Sequence, residues 1–179
     1  MAHLRKTEKF GSIEVVQATL EHAHFIAERM RKEDVEECWA SNHLFPLEAL
    51  LEGLGSTRAC WTGLYRREAF CMFGVVRAKH DRSIGVPWLL ATDRLNNCSR
   101  EFLRRNSEYV QAMRHQFTML VNYVDERNKT SKRWLEWLGF VLDDEPVLAG
   151  PDRMPFRRFC MAGLKNSETL LTREDAAHV

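Results

Sequence analysis

Asn128-Lys-Thr-Ser-Lys-Arg-Trp-Leu-Glu-Trp-Leu-Gly-Phe140 is the stretch from which the rest of the chain is best read. Thr130 is suited to cap a helix over Ser131 to Leu138. Gly139 then stops it, because glycine turns left-handed without steric cost. Phe140 to Asp143 reads as the start of a strand that Phe140 anchors in the core. Upstream, Phe117 to Asp125 is an apolar run of strand length. The unit is strand, short helix, strand.

Working outward, Ser99 caps a predicted helix to about Arg114, whose Phe102, Leu103, Val110 and Met113 recur at packing positions. Pro87 to Thr92 is a short, wholly apolar strand of the kind buried on both faces. Arg58 to Tyr65 and Ala69 to Lys79 are apolar, aromatic runs joined by the polar Arg66-Arg67-Glu68, which reads as an antiparallel hairpin. Nearer the start, Ser12 to Gln17 reads as a strand. Thr19 caps a helix carrying Leu20, Ala23, His24, Ala27 and Met30 at helical spacing. Arg31 to Ala40 places Arg31, Asp34 and Glu37 on one helical face, with Val35, Cys38 and Trp39 opposite. Pro46 opens and Gly53 or Gly55 closes a third helix, Leu47 to Leu54. Phe156 to Ala162 is a closing strand after the turn-rich Pro146 to Pro155. The predicted class is α/β (α+β): one domain over 12–164, a mixed central sheet of about six to seven strands flanked by helices. Residues 1–11 read as a flexible N-terminus and 165–179 as a polar, disordered tail.

The chain has 179 residues, with 26 Lys+Arg, 25 Asp+Glu and a net charge of +1. That balance rules out nucleic-acid or membrane binding through bulk charge, and leaves only a local patch. No apolar run approaches the roughly 20 residues of a membrane-spanning helix, and the start Met1-Ala2-His3-Leu4-Arg5-Lys6 has no apolar signal-peptide core. The expectation is a soluble, unexported domain. Cys38, Cys60, Cys71, Cys98 and Cys160 are odd in number and lack CxxC or CxxH pairing. They read as small buried hydrophobes in a reducing compartment, not as nucleophiles or metal ligands.

The order of elements and the helix ending in Leu138-Gly139-Phe140 resemble the GNAT acetyltransferase superfamily. A narrower resemblance rests on Arg29-Met30-Arg31-Lys-Glu-Asp34-Val-Glu-Glu37-Cys-Trp39-Ala40, Ala59-Cys-Trp61-Thr-Gly63-Leu64 and Cys71-Met72-Phe73-Gly74-Val75. Pro87-Trp88-Leu89-Leu90-Ala91-Thr92-Asp93, Phe102-Leu103-Arg104-Arg105, Val121-Asn122-Tyr123-Val124-Asp125 and Pro155-Phe156-Arg157-Arg158-Phe159 extend it over about residues 13 to 162. These segments look like a family of tailed-phage and prophage proteins, acetyltransferase-like and related to an internal virion protein of short-tailed coliphages.

The GNAT resemblance implies a coenzyme A pyrophosphate held on backbone N–H groups at a helix start with the pattern Gln/Arg-x-x-Gly-x-Gly/Ala. Here that stretch is Asp93-Arg-Leu-Asn-Asn-Cys-Ser-Arg-Glu-Phe102, without a glycine. Asn96 and Asn97 tolerate a left-handed turn, and Arg94 or Arg100 would neutralise a phosphate, whereas Asp93 opposes one. Many GNAT enzymes also place a proton-donating Tyr where this chain has Leu135. The anion cradle is therefore degenerate or replaced, with no cofactor expected and acetyl-CoA the cofactor if the chain is active.

If it is active, Asp34 and Glu37, one helical turn apart, are the candidate general bases. Leu90, Ala91, Thr92, Arg94, Asn128 and Ser131 are the candidate cofactor-binding residues. The competing reading of Asp34 and Glu37 is a charged surface face shared with Arg31. Asp93 and Asp125 follow strands and read equally as site or capping residues. His22 and His24 read as locally bonded, with no metal spacing around them. Trp residues default to core packing, while exposure of Trp134 and Trp137 would point to a protein contact. Arg104, Arg105, Arg114, Lys129, Lys132 and Arg133 make the second half locally basic, as a nucleic-acid surface requires, or as solvated helices show. The leading expectation is a virion-associated or assembly protein, present in the virion and in host cytoplasm before assembly, that contacts other virion proteins, with an oligomer as one option. The rival is an acetyl-CoA-dependent N-acetyltransferase, and a nucleic-acid module ranks third.

Overall fold

The computed structural model describes residues 7–10, 13–56 and 59–165. Strand β1 (Thr7–Phe10) pairs with β2 (Ile13–Gln17); helices α1 (Leu20–Ala27), α2 (Lys32–Asn42) and α3 (Pro46–Ser56) follow. Next come the hairpin β3 (Cys60–Tyr65) and β4 (Glu68–Arg77), then β5 (Ile84–Ala91) and α4 (Leu95–Arg114). The chain closes with β6 (Met119–Asp125), α5 (Lys129–Trp137), β7 (Val141–Leu142), β8 (Val147–Ala149) and β9 (Met154–Ala162). These described strands form one sheet in the order β1-β2-β3-β4-β5-β6-β9-β7, with β8 also on β9. The β5–β6 pair is parallel and the other described pairs are antiparallel.

The expected mixed sheet flanked by helices is present, and it is wider than six to seven strands. The two additions are the short β1 and β8, and three-residue β8 lies inside the stretch that reads as turns. Thr7–Phe10 thus pairs with β2 within the expected flexible terminus, while 1–6, 11–12 and the tail from 166 lie outside the described residues.

Side-chain alternation along the strands builds two cores, one on each face of the sheet. One face gathers Phe70, Phe73, Phe102, Tyr109, Leu120, Phe140 and Phe159 under α4 and α5. The rings meet edge to face, as in Phe73–Tyr109 at 5.2 Å and Phe140–Phe159 at 5.2 Å. The other face packs Ala23, Ile26, Leu50 and Met72 under α1 and α3.

Several local expectations are revised. Helix α4 begins at Leu95, a turn before Ser99, and its cap residue Arg94 makes no side-chain capping bond. At α5 the cap is Asn128 and not Thr130: its Oδ1 accepts from Ser131 N at 3.1 Å. Strand β5 starts at Ile84, and Trp88, Leu89 and Leu90 are half-buried, not sealed on both faces. Trp39 and Trp137 are 45% and 56% exposed, against the default of core packing. Thr19 does cap α1, accepting from His22 N.

Candidate functional site

Strands β5 and β6 pair only through Ile84–Met119 and Gly85–Leu120, and then diverge. The wedge between them opens a cavity of about 590 Å³ lined from both faces of the sheet, by α2 and α3 on one side and α4 and α5 on the other. Half-burial of Trp88 to Leu90 follows from this, since all three line the wedge. Near its narrow end the Asn122 amide spans the gap, donating to Pro87 O at 2.9 Å.

Helix α2 is driven into the wedge by its first turns. Arg31, at the cap of α2, donates its backbone N–H to Ala91 O at 2.9 Å. Its guanidinium pairs with Asp34 Oδ1 at 2.7 Å, donates to Ser131 Oγ at 3.2 Å and lies 5.5 Å from the centre of the Trp134 ring. Asp34 Oδ2 accepts the Ala91 N–H at 2.7 Å. Arg31 and Asp34 side chains are 4% and 3% exposed, so the pair is sealed from water.

Glu37, one turn on, reaches the other wall. It accepts from Asn128 Nδ2 at 3.2 Å and from the Asp125 backbone N–H. Asn128 thus caps α5 with its oxygen and holds Glu37 with its nitrogen. The two carboxylates grip opposite sides of the splay, Asp34 on β5 and Glu37 on the end of β6. Burial and the neighbouring Asp34 charge push the Glu37 carboxyl up to about 7. Burial also raises Asp34, against the pull of Arg31 and the Ala91 N–H.

Of the six candidate cofactor residues, Leu90, Asn128 and Ser131 line the wedge, and so does Leu135. Ala91 and Thr92 are buried, with Ala91 held by α2 and Thr92 N donating to Phe70 O at 2.8 Å. Arg94 points elsewhere, onto Glu68 at 2.6 Å. At the start of α4 the N–H groups of Leu95, Asn96 and Asn97 donate to the carbonyls of Thr92, Asp93 and Arg94. Arg100 lies with Asn96, Asn97 and Tyr65 in a separate hollow of about 330 Å³.

The remaining candidates resolve individually. Asp93 is exposed, whereas Asp125 is buried and clasps Arg127 at 2.6 Å. Burial raises the Asp125 carboxyl, but the Arg127 guanidinium and N–H outweigh it and hold it below the ordinary value. His22 is half-buried and His24 exposed. Burial drives the thiols of Cys38 and Cys60 up to about 12 and Cys98 to about 11, far from a reactive thiolate. Among the basic residues, Arg105 is buried and Lys132 is held by Glu126 at 2.8 Å, leaving Arg104, Lys129 and Arg133 exposed. Sequence reasoning passed over Arg31 as a site residue. Its signal was there: an Arg three residues before an Asp at a helix start, the spacing of a helical ion pair.

Solved structures share this architecture at low identity. Spermidine N-acetyltransferase from Vibrio cholerae, in complex with CoA and spermine, matches with a TM-score of 0.61 and 13% identity over 86% of this chain and 97% of its own. The Salmonella typhimurium protein yncA, solved with its cofactor acetyl-CoA, gives 0.63 and 11% over 85% and 94%. A GNAT-family acetyltransferase from Streptococcus pneumoniae gives 0.57 and 15% over 84% and 98%. No curated protein sequence matches the chain. A family model described as "Bacteriophage T7, probable scaffold protein Gp13" matches residues 85–147, the segment from β5 through α4, β6 and α5 to the start of β8. The chain is thus GNAT-like in fold and, over residues 85–147, similar to a phage scaffold-protein family.

Proposed function

We propose that the chain acts in virion assembly, as a GNAT-fold protein that contacts other virion proteins and whose cleft no longer carries acetyl transfer. The observation that carries this reading is the α2 strut. The wall of the splay that a thioester arm would use as a strand partner has its Ala91 N–H taken by Asp34 and its Ala91 carbonyl taken by Arg31. Pro87, two pairs back on the same edge, has no N–H to offer.

Two further features support it. The first amides of α4 are spent on the preceding turn, so the helix start lacks the free donors that hold a pyrophosphate, and no glycine lets a phosphate approach. Leu135 lines the wedge where a proton donor to a leaving thiolate would stand, and leucine has no proton to give. These features of the cleft argue against acetyl-CoA as its ligand. The match to a phage scaffold family supports a role among virion proteins, with the virion and the host cytoplasm before assembly as its locations.

Calorimetric titration of acetyl-CoA into the full chain tests the reading. No heat of binding at millimolar ligand is expected. Micromolar binding would overturn it in favour of an N-acetyltransferase, with Glu37 as the base that its raised pKa permits. In parallel, mass spectrometry of purified virions of the phage carrying the chain should find it at fixed stoichiometry.

A further inference from the structure

The two faces of the sheet carry opposite charge. Residues 20–56, which hold α1 to α3, contain eight Asp/Glu and three Lys/Arg; α4 and α5 together contain seven Lys/Arg and three Glu. Setting aside the buried Arg31 and Asp34 and the half-buried Glu37, the first face still exposes Glu21, Glu28, Glu33, Glu36, Glu48 and Glu52 against Arg29 and Lys32. On the second face Arg100, Arg104, Lys129 and Arg133 are exposed against Glu108 and Glu136, so the excess is positive but smaller. The chain as a whole is nearly neutral, so this is a separation of charge and not an excess.

Each face also presents apolar anchors. On the acidic side Trp39 stacks on His43 at 4.6 Å and leans on Phe45 at 5.6 Å, and Phe45 is 62% exposed. On the basic side Trp137 at the end of α5 and Val141 at the start of β7 are both more than half exposed. Exposed aromatic groups beside complementary charge are what protein interfaces use.

We propose that the acidic, aromatic face of α2 and α3 in one copy docks head to tail on the basic face of α4 and α5 in a second copy. Charge selects this arrangement. A symmetric dimer through either face would set like charge against like, whereas a head-to-tail contact sets Glu33, Glu36 and Glu52 against Arg104, Lys129 and Arg133. Such a contact uses two different patches, so it propagates into a ring or filament instead of closing at two. The inference names one partner for the assembly role above and can fail separately from it. Acetyl-CoA binding would overturn that role and leave the self-association standing, and a chain that never self-associates would leave the role open to other partners.

Sedimentation velocity on the full chain tests it. At low salt the species should grow with concentration, and the apparent affinity should weaken by at least about tenfold at 0.5 M salt, since exposed charges are screened there. The triple reversal Glu33→Lys, Glu36→Lys, Glu52→Lys should be monomeric. So should Arg104→Glu, Lys129→Glu, Arg133→Glu, and mixing the two should restore association. Trp39→Ala, which removes only an exposed ring, should weaken association at any salt, and it covers the case in which a triple variant fails to fold by circular dichroism. Three outcomes overturn the proposal: a monomer at every concentration and salt, association indifferent to both reversals, or a monomer that instead binds a duplex oligonucleotide through Arg104, Lys129 and Arg133.

Discussion

Arg31 is the residue on which the cleft turns, because it touches Ala91 through its backbone, and Asp34, Ser131 and the Trp134 ring through its guanidinium. A buried ion pair stabilises little in net terms, but breaking it strands a charge. Asp34→Ala should therefore cost about 3–5 kcal/mol in urea unfolding, and Arg31→Met/Asp34→Leu should recover most of that loss. Full recovery is not expected, since the Ala91 N–H also loses its acceptor. Glu37 gives a pH signature. Its carboxyl sits near 7 in the folded chain against an ordinary 4.5, so between those values the unfolded chain releases a proton that the folded chain keeps. Stability from this group is present below about 4.5 and is lost as pH rises through about 7. Glu37→Gln keeps an acceptor without the charge. It should match the parent at pH 4 and exceed it by about 1–2 kcal/mol at pH 8, discounted for partial solvent access. That Arg31, Asp34 and Glu37 share a face was legible from their spacing. That the face turns inward was not, because three charged residues on one face normally mark the solvated side of a helix.

At the scale of elements, the β3–β4 hairpin turns on Arg66 and Arg67, with φ of 51° and 69°. Both sit in the left-handed region that Asn-Gly fills without strain, at about 1 kcal/mol each for a residue with a full side chain. The Arg66 contact with the Tyr65 ring at 5.4 Å offsets only part of that. Arg66→Asn/Arg67→Gly should raise stability by about 1–2 kcal/mol in a urea titration. Helix α3 behaves oppositely. Gly53 lies against the Trp88 ring so closely that a Cβ would stand 2.4 Å from it. Gly53→Ala should lift α3 off β5 and destabilise by about 1–3 kcal/mol. Strands and helices were readable because their apolar periodicities are local. Helix starts were not: Asn128 beat Thr130 to the α5 cap, and α4 gained a turn before Ser99, because the approach of the chain from the preceding strand fixes which residue can cap. Trp39 was misplaced for a related reason. It shares an inner-looking sequence neighbourhood with Cys38, yet the helix rotates toward the wedge to seat Arg31 and Asp34, and Trp39 is turned out.

For the whole molecule, net charge and charge distribution tell different stories. A chain with a sequence pI near 7.7 and evenly mixed charges would pass both ion exchangers at neutral pH. This one should be retained at low salt on both anion and cation exchangers and released by moderate salt from each, because each matrix meets a different face. The order of strands and helices along the chain was legible from sequence, and so was a locally basic second half, whereas which residues of each segment face solvent was not, since packing against the sheet decides it. The Arg31–Asp34 pin also bears on descent. A substitution of Asp34 that frees the Ala91 N–H leaves the buried Arg31 guanidinium without its counterion, so opening this strand edge is uphill by several kcal/mol. In a marginally stable chain such a loss is a large share of the total, so both partners would have to change together. The pin acts as a ratchet: this edge of the cleft can be refined by small steps around it, but one substitution alone does not open it.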